Sequence, residues 1–133
     1  MRNGGTMPDP ILMGLASDPP EVSAKAAARA ARELFGLEGL LEPKRGERDR
    51  NFLVRASGGR EVLLKISHPN EDPAVVDLQT RALLHVAARD PDLPVPHVIA
   101  SKNGNSVERV SLDGWEGLMV RAPTWRGTPR KVV

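Results

Sequence analysis

The sequence contains no cysteine and no tyrosine. The first absence excludes disulfides and thiolate metal ligands, and it leaves the redox compartment open. The second removes a group that titrates near pH 10, so the isoelectric point of 9.4 overstates how basic the chain is. The net charge is only +2. So weak a field gives no reason to expect a nucleic-acid partner, which normally meets a clustered basic face. Aromatic residues make up 3% of the chain, so aliphatic Leu, Val, Ile and Ala must fill the interior.

Long apolar runs are missing as well. Near the start, Ile11-Leu12-Met13 is too short for a signal-peptide core. No stretch approaches the ~20 apolar residues that cross a bilayer. A soluble cytoplasmic protein without a membrane partner is the expectation. His68, His85 and His97 lack metal-ligand spacing, and no metal site is expected from them. With 133 residues the chain can form one compact domain, but it is short of two lobes of ordinary size.

What the sequence does contain is a change of periodicity along its length. Residues 1–16, rich in Gly, Pro and Met, read as a loose leader. A helix is expected next. Asp18 would cap it, Pro19 or Pro20 would occupy the first turn, and Gly36 would stop it. Val22, Ala26, Ala30 and Leu34 recur on one face, while Lys25, Arg29 and Arg32 occupy a solvated one. Leu40, Leu41 and Glu42 then lead into a charged loop, followed by a strand through Asn51-Phe52-Leu53-Val54-Arg55. Ser57-Gly58-Gly59-Arg60 makes a hairpin turn, and the returning strand puts Val62, Leu64 and Ile66 on one face and Leu63 and Lys65 on the other.

A second helix is signalled by Asp72 as cap and Pro73 in the first turn, with Val76, Gln79, Leu83 and Val86 along one stripe. Pro91 and Pro94 end it, residues 95–100 suggest a short strand, and 107–110 and 117–120 suggest a last hairpin around Asp113-Gly114. The order predicts an α+β fold, an antiparallel sheet with a packed helix, preceded by an N-terminal helix. Arg121, Arg126, Arg130 and Lys131 belong to a basic end that reads as solvated.

The stretch with chemical content is Val62-Leu63-Leu64-Lys65-Ile66, a strand bearing one lysine, preceded by a loop from Gly46 and followed by a helix. Phosphoryl transfer uses such a set: a loop over the nucleotide phosphates, a strand lysine that neutralises them, and a helix residue that holds the lysine. A lysine on the solvent face of an amphipathic strand produces the same local pattern.

The ordered set is more specific. Ala31-Arg32-Glu33-Leu34-Phe35-Gly36-Leu37-Glu38-Gly39, Gly46-Glu47-Arg48-Asp49-Arg50-Asn51-Phe52-Leu53-Val54, the strand around Lys65, Glu71-Asp72-Pro73-Ala74-Val75, Asp77-Leu78-Gln79-Thr80 and Pro91-Asp92-Leu93-Pro94-Val95-Pro96 resemble, in order and spacing, the start of bacterial aminoglycoside-phosphotransferase family kinases. Within that family the likeness is to the hydroxylysine-kinase-like branch, whose members are sometimes fused to a class III aminotransferase.

The resemblance implies a protein-kinase-like small lobe over residues 17–125, with 126–133 as a basic tail. It implies ATP or GTP as ligand, with Mg in a complete enzyme. Lys65 would contact the α- and β-phosphates. Gly46, Arg48 and Asn51 would belong to the loop that covers them. Gln79 would stand where the family's helix residue holds the lysine, and residues 119–125, Thr124 included, where its hinge meets the base. That hinge is altered here, because Pro123 has no N–H to donate.

No catalytic residue is expected within the chain. The family's second lobe supplies the catalytic aspartate and the metal-holding acid, and beyond Glu116 this sequence has no acid. Two readings stand at this stage. One is the small lobe of a truncated or split kinase, inactive alone and partnered by a separate C-terminal lobe. The other is a non-catalytic nucleotide-binding or protein-interaction module.

Overall fold

A computed structural model of the chain describes residues 19–46 and 48–124. The expected leader, the tail after Thr124, Asp18 and Glu47 lie outside them.

Helix α1, Ala24–Phe35, is built mainly from alanine and other strong helix formers. Its cap is Ser23, whose side chain accepts from the Ala26 N–H. The helix therefore starts later than the prolines suggest. The reason is packing: Val22, just before the cap, is buried in the same cluster as Ala27, so the chain is stapled there before it coils. Gly36 ends the helix, with its N–H bonded to Arg32 and that of Leu37 to Ala31.

Three antiparallel strands follow: β1 (Gly39–Lys44), β2 (Asp49–Ala56) and β3 (Glu61–Ser67). Helix α2 spans Pro73–Arg89, capped by Asp72 as expected. The short strand β4 is Val98–Ile99 only; Pro94 and Pro96 lack the N–H groups that would extend it. Strands β5 (Glu108–Leu112) and β6 (Trp115–Pro123) close the sheet as a hairpin. Asp113 and Gly114 at its tip have φ of 50° and 83°, the left-handed pair that a two-residue turn of this twist requires.

The sheet runs β1-β2-β3-β6-β4, with β5 also paired to β6. The long β6 is the hub: β3 lies along one edge, and β5 and β4 share the other. Arg121, read as the start of the basic end, is inside this strand.

The two faces of the sheet differ. Ala26, Ala27, Ala30, Ala31 and Phe35 of α1 pack against Phe52, Val54, Val62, Leu64, Ile66, Leu118 and Val120. Small alanines let the helix approach closely, and each large side chain removed from water contributes about 1.5–3 kcal/mol. The first helix, not the second, seals the main core. Lys25, Arg29 and Arg32 are exposed on its far side, as expected. On the opposite face α2 buries only Val76 and Thr80. It stands off the sheet, and a cleft opens beneath it.

Candidate functional site

Alternation along β3 points Leu63, Lys65 and Ser67 away from the α1 core. Antiparallel register places Asn51 of β2 and Arg121 of β6 directly opposite Lys65, and Asp49 opposite Ser67. Residues paired in this way share a face, so three neighbouring strands gather polar side chains on the α2 side.

The cleft there has a volume of about 310 Å³. Its walls are Leu63, Leu83, Pro96, Val98 and Pro123, and its polar end is formed by Lys65, Gln79 and Arg121. An apolar slot with a few convergent polar groups at one end is the usual form of a small-molecule pocket.

The polar end is tightly connected. Lys65 Nζ lies 3.2 Å from Asp49 Oδ2, and Arg121 Nη2 lies 3.3 Å from the same oxygen. Arg121 Nη1 donates to Gln79 Oε1 at 3.0 Å. The three charged side chains are 24%, 15% and 11% exposed for Lys65, Asp49 and Arg121, so solvent screens them less than a surface pair. The carboxylate that holds Lys65 therefore comes from β2, and Gln79 on the helix bonds Arg121 instead of the lysine. Sequence periodicity puts Gln79 on the buried stripe of α2. In the structure Thr80 takes that place, its hydroxyl donating to the Val76 carbonyl, and Gln79 stands at the exposed margin.

The loop residues divide. Gly46 packs under β2: a Cβ there would lie 2.3 Å from the Asp49 carbonyl oxygen and 2.6 Å from Asn51 Nδ2. Only glycine allows that approach. Asn51 is 7% exposed and stands beside Lys65, although its Oδ1 has no hydrogen-bond partner among the described residues. Arg48 turns toward Glu71, at 3.6 Å. Beside this loop a second, more polar hollow is bounded by Lys44, Arg45, Gly46, Asp49 and Arg50, and Asp49 on its edge is the residue that bonds Lys65 and Arg121 of the cleft.

At the other end, Thr124 lines the cleft. Its N–H donates to the His97 carbonyl and its hydroxyl oxygen accepts the His97 N–H, both at 2.8 Å. Its backbone donor is thus committed within the fold, and Pro123 beside it pairs with Val98 in the sheet. Among the described residues no cluster of three His, Asp or Glu side chains gathers to hold a metal. His68 instead packs its ring edge-on to Trp115.

Asp49 and Arg121 are the site residues that sequence reasoning did not single out. A signal for the first existed: the hairpin turn fixes the register of β2 against β3 and puts Asp49 diagonal to Lys65. None existed for Arg121, because its neighbour Lys65 is reached only across the β3–β6 pairing, far apart in sequence.

The model of the phosphotransferase enzyme family, APH, matches residues 39–121, more than half of the chain. The chain belongs to the phosphotransferase enzyme family. In fold, this family member is similar to the amicoumacin kinase hAmiN, solved in complex with AMP-PNP, Ca2+ and Ami, with a TM-score of 0.63 and 15% sequence identity. The likeness covers 84% of this chain and 33% of that kinase, so the chain spans about a third of the kinase's length. No curated protein matches it. The α+β sheet expected from the order of elements, with its kinase-like small-lobe arrangement, is the fold found.

Proposed function

We propose that residues 17–125 form the nucleotide-binding small lobe of a small-molecule kinase, with the apolar cleft taking the base of ATP or GTP and Lys65 the phosphates. The observation that carries this is Lys65 itself, on the open face of β3 at the polar end of a slot with apolar walls. The family match and the nucleotide analogue bound to the amicoumacin kinase support it. Thr124 borders the base end with its side chain, and Asn51 and Gly46 shape the strand beside the lysine.

The acceptor in this reading is a hydroxyl of a small amino-bearing metabolite, as in the hydroxylysine-kinase-like branch that the motifs resemble, and the setting is the cytoplasm. The catalytic aspartate and the metal-holding acid come from a second lobe. Asp49 in this reading serves the cations of the cleft, since it already bonds Lys65 and Arg121. Helix α2 exposes Val75 and Leu78, three residues apart and so on one side of the helix, with Leu78 at 68%, and these apolar side chains suit contact with another lobe.

Calorimetry with ATP and GTP on the wild-type chain and on Lys65→Ala tests the assignment. Binding that the substitution weakens supports it. Equal affinity in both proteins removes Lys65 from the site.

A further inference from the structure

The cleft holds more positive charge than a single phosphate-contacting lysine requires. Lys65 and Arg121 converge on one oxygen of Asp49, which leaves one positive charge uncompensated, and no Asp or Glu lines the cleft itself among the described residues. Arg121 is held from two sides, by Asp49 and by Gln79, with its side chain 11% exposed. Its Nε is buried without a hydrogen-bond partner among the described residues. Partly buried surplus charge is costly unless an anion meets it. A rigid, planar guanidinium beside an ammonium also suits the several oxygens of a polyphosphate.

We propose that Lys65 and Arg121 act together as a two-cation clamp for the nucleotide polyphosphate, with Asp49 as the positioning residue that holds them side by side. The inference rests on the nucleotide reading above and adds a second phosphate contact from the hub strand. It also moves the lysine's acidic support from the helix to β2. Each cation keeps donors in reserve. An ammonium has three N–H groups and a guanidinium five, so both can hold Asp49 and still donate to phosphate oxygens. Gln79 fixes the far side of the guanidinium and thereby sets which way its remaining donors point. Because β6 also forms the wall at Pro123, the same strand orients the base slot and the clamp.

The test is calorimetry on the full 133-residue chain with three probes, ATP, adenosine and inorganic tripolyphosphate, using wild type, Arg121→Gln, Arg121→Lys, Asp49→Asn and Lys65→Ala. The clamp predicts that Arg121→Gln weakens ATP and tripolyphosphate by about ten- to a hundredfold, the loss expected for charge-assisted contacts, and leaves adenosine unchanged. Arg121→Lys, which keeps the charge, restores part of that loss and stands in if the glutamine variant does not fold. Asp49→Asn weakens both phosphate-bearing probes and spares adenosine. An equal loss for adenosine and ATP would make Arg121 a structural residue only. A loss in Lys65→Ala with none in the Arg121 variants would confine phosphate binding to the lysine. If the wild type binds none of the probes, the nucleotide reading fails, and the clamp with it.

Discussion

Lys65 and Arg121 face each other across β3 and β6 and bond the same oxygen of Asp49, at 3.2 and 3.3 Å. Two like charges at neighbouring sheet positions repel unless an anion lies between them. Asp49→Ala is therefore expected to lower stability by about 1–3 kcal/mol, less than a fully buried pair would lose because the groups retain some exposure. Urea unfolding measures this. Saturating ATP should stabilise the variant less than the wild type, since a ligand stabilises the folded state in proportion to how tightly it binds. An unchanged midpoint would mean that the cations do not depend on the carboxylate.

Gly46→Ala should be destabilising for a different reason. The added Cβ meets the Asp49 backbone oxygen at 2.3 Å, and a backbone atom in a paired strand cannot swing away. Overpacking of this kind costs about 1–3 kcal/mol, and it should also shift Asp49. Thermal unfolding should show the drop in midpoint, and ATP affinity should fall with it. A variant with wild-type stability would show that the loop relaxes freely.

Acid should weaken the fold through two carboxylates remote from the cleft. The Ser101 hydroxyl, then the Asn105 amide, hold the Glu108 carboxyl below its ordinary value. The backbone N–H of Ser23 does the same for Asp113, which thereby ties the β5–β6 turn to the start of α1. For lowered carboxyls the unfolded chain takes up the proton first as pH falls. Their contribution is thus complete above the ordinary carboxylate range and disappears as pH drops through the lowered values. The melting temperature should fall as pH goes from about 5 to about 3, and Glu108→Gln should flatten that fall. Parallel curves for the two proteins would contradict the assignment to Glu108.

Much of the architecture could be read from local patterns, because the signals involved are short-ranged. Alternation at Val62, Leu64 and Ile66 and the Gly58-Gly59 turn defined the β2–β3 hairpin and the open face of Lys65. Asp72 and Pro73 marked the start of α2. Where the reading slipped, tertiary contacts decided. Val22 at the core delayed α1 to Ser23 in spite of the earlier prolines. On α2, Thr80 could satisfy its hydroxyl within its own helix and so took the buried position that periodicity gave to Gln79. The place of Arg121 depends on a strand crossover that no local pattern encodes.

The isolated chain is expected to transfer no phosphate. A coupled ADP-release assay with hydroxylysine and with aminoglycosides as acceptors should stay at the level of a no-enzyme control. Acceptor-dependent turnover by the purified 133-residue chain would show that it carries catalytic groups of its own.

The central claim is that a nucleotide occupies the cleft between β3, β6 and α2. Mapping amide chemical shifts in the 15N-labelled chain during titration with ATP tests it most directly. The account predicts that the largest shifts cluster at Leu63, Lys65, Gln79, Leu83, Val98, Arg121 and Thr124. Shifts confined to α1, around Lys25, Arg29 and Arg32, or none at all, would contradict it.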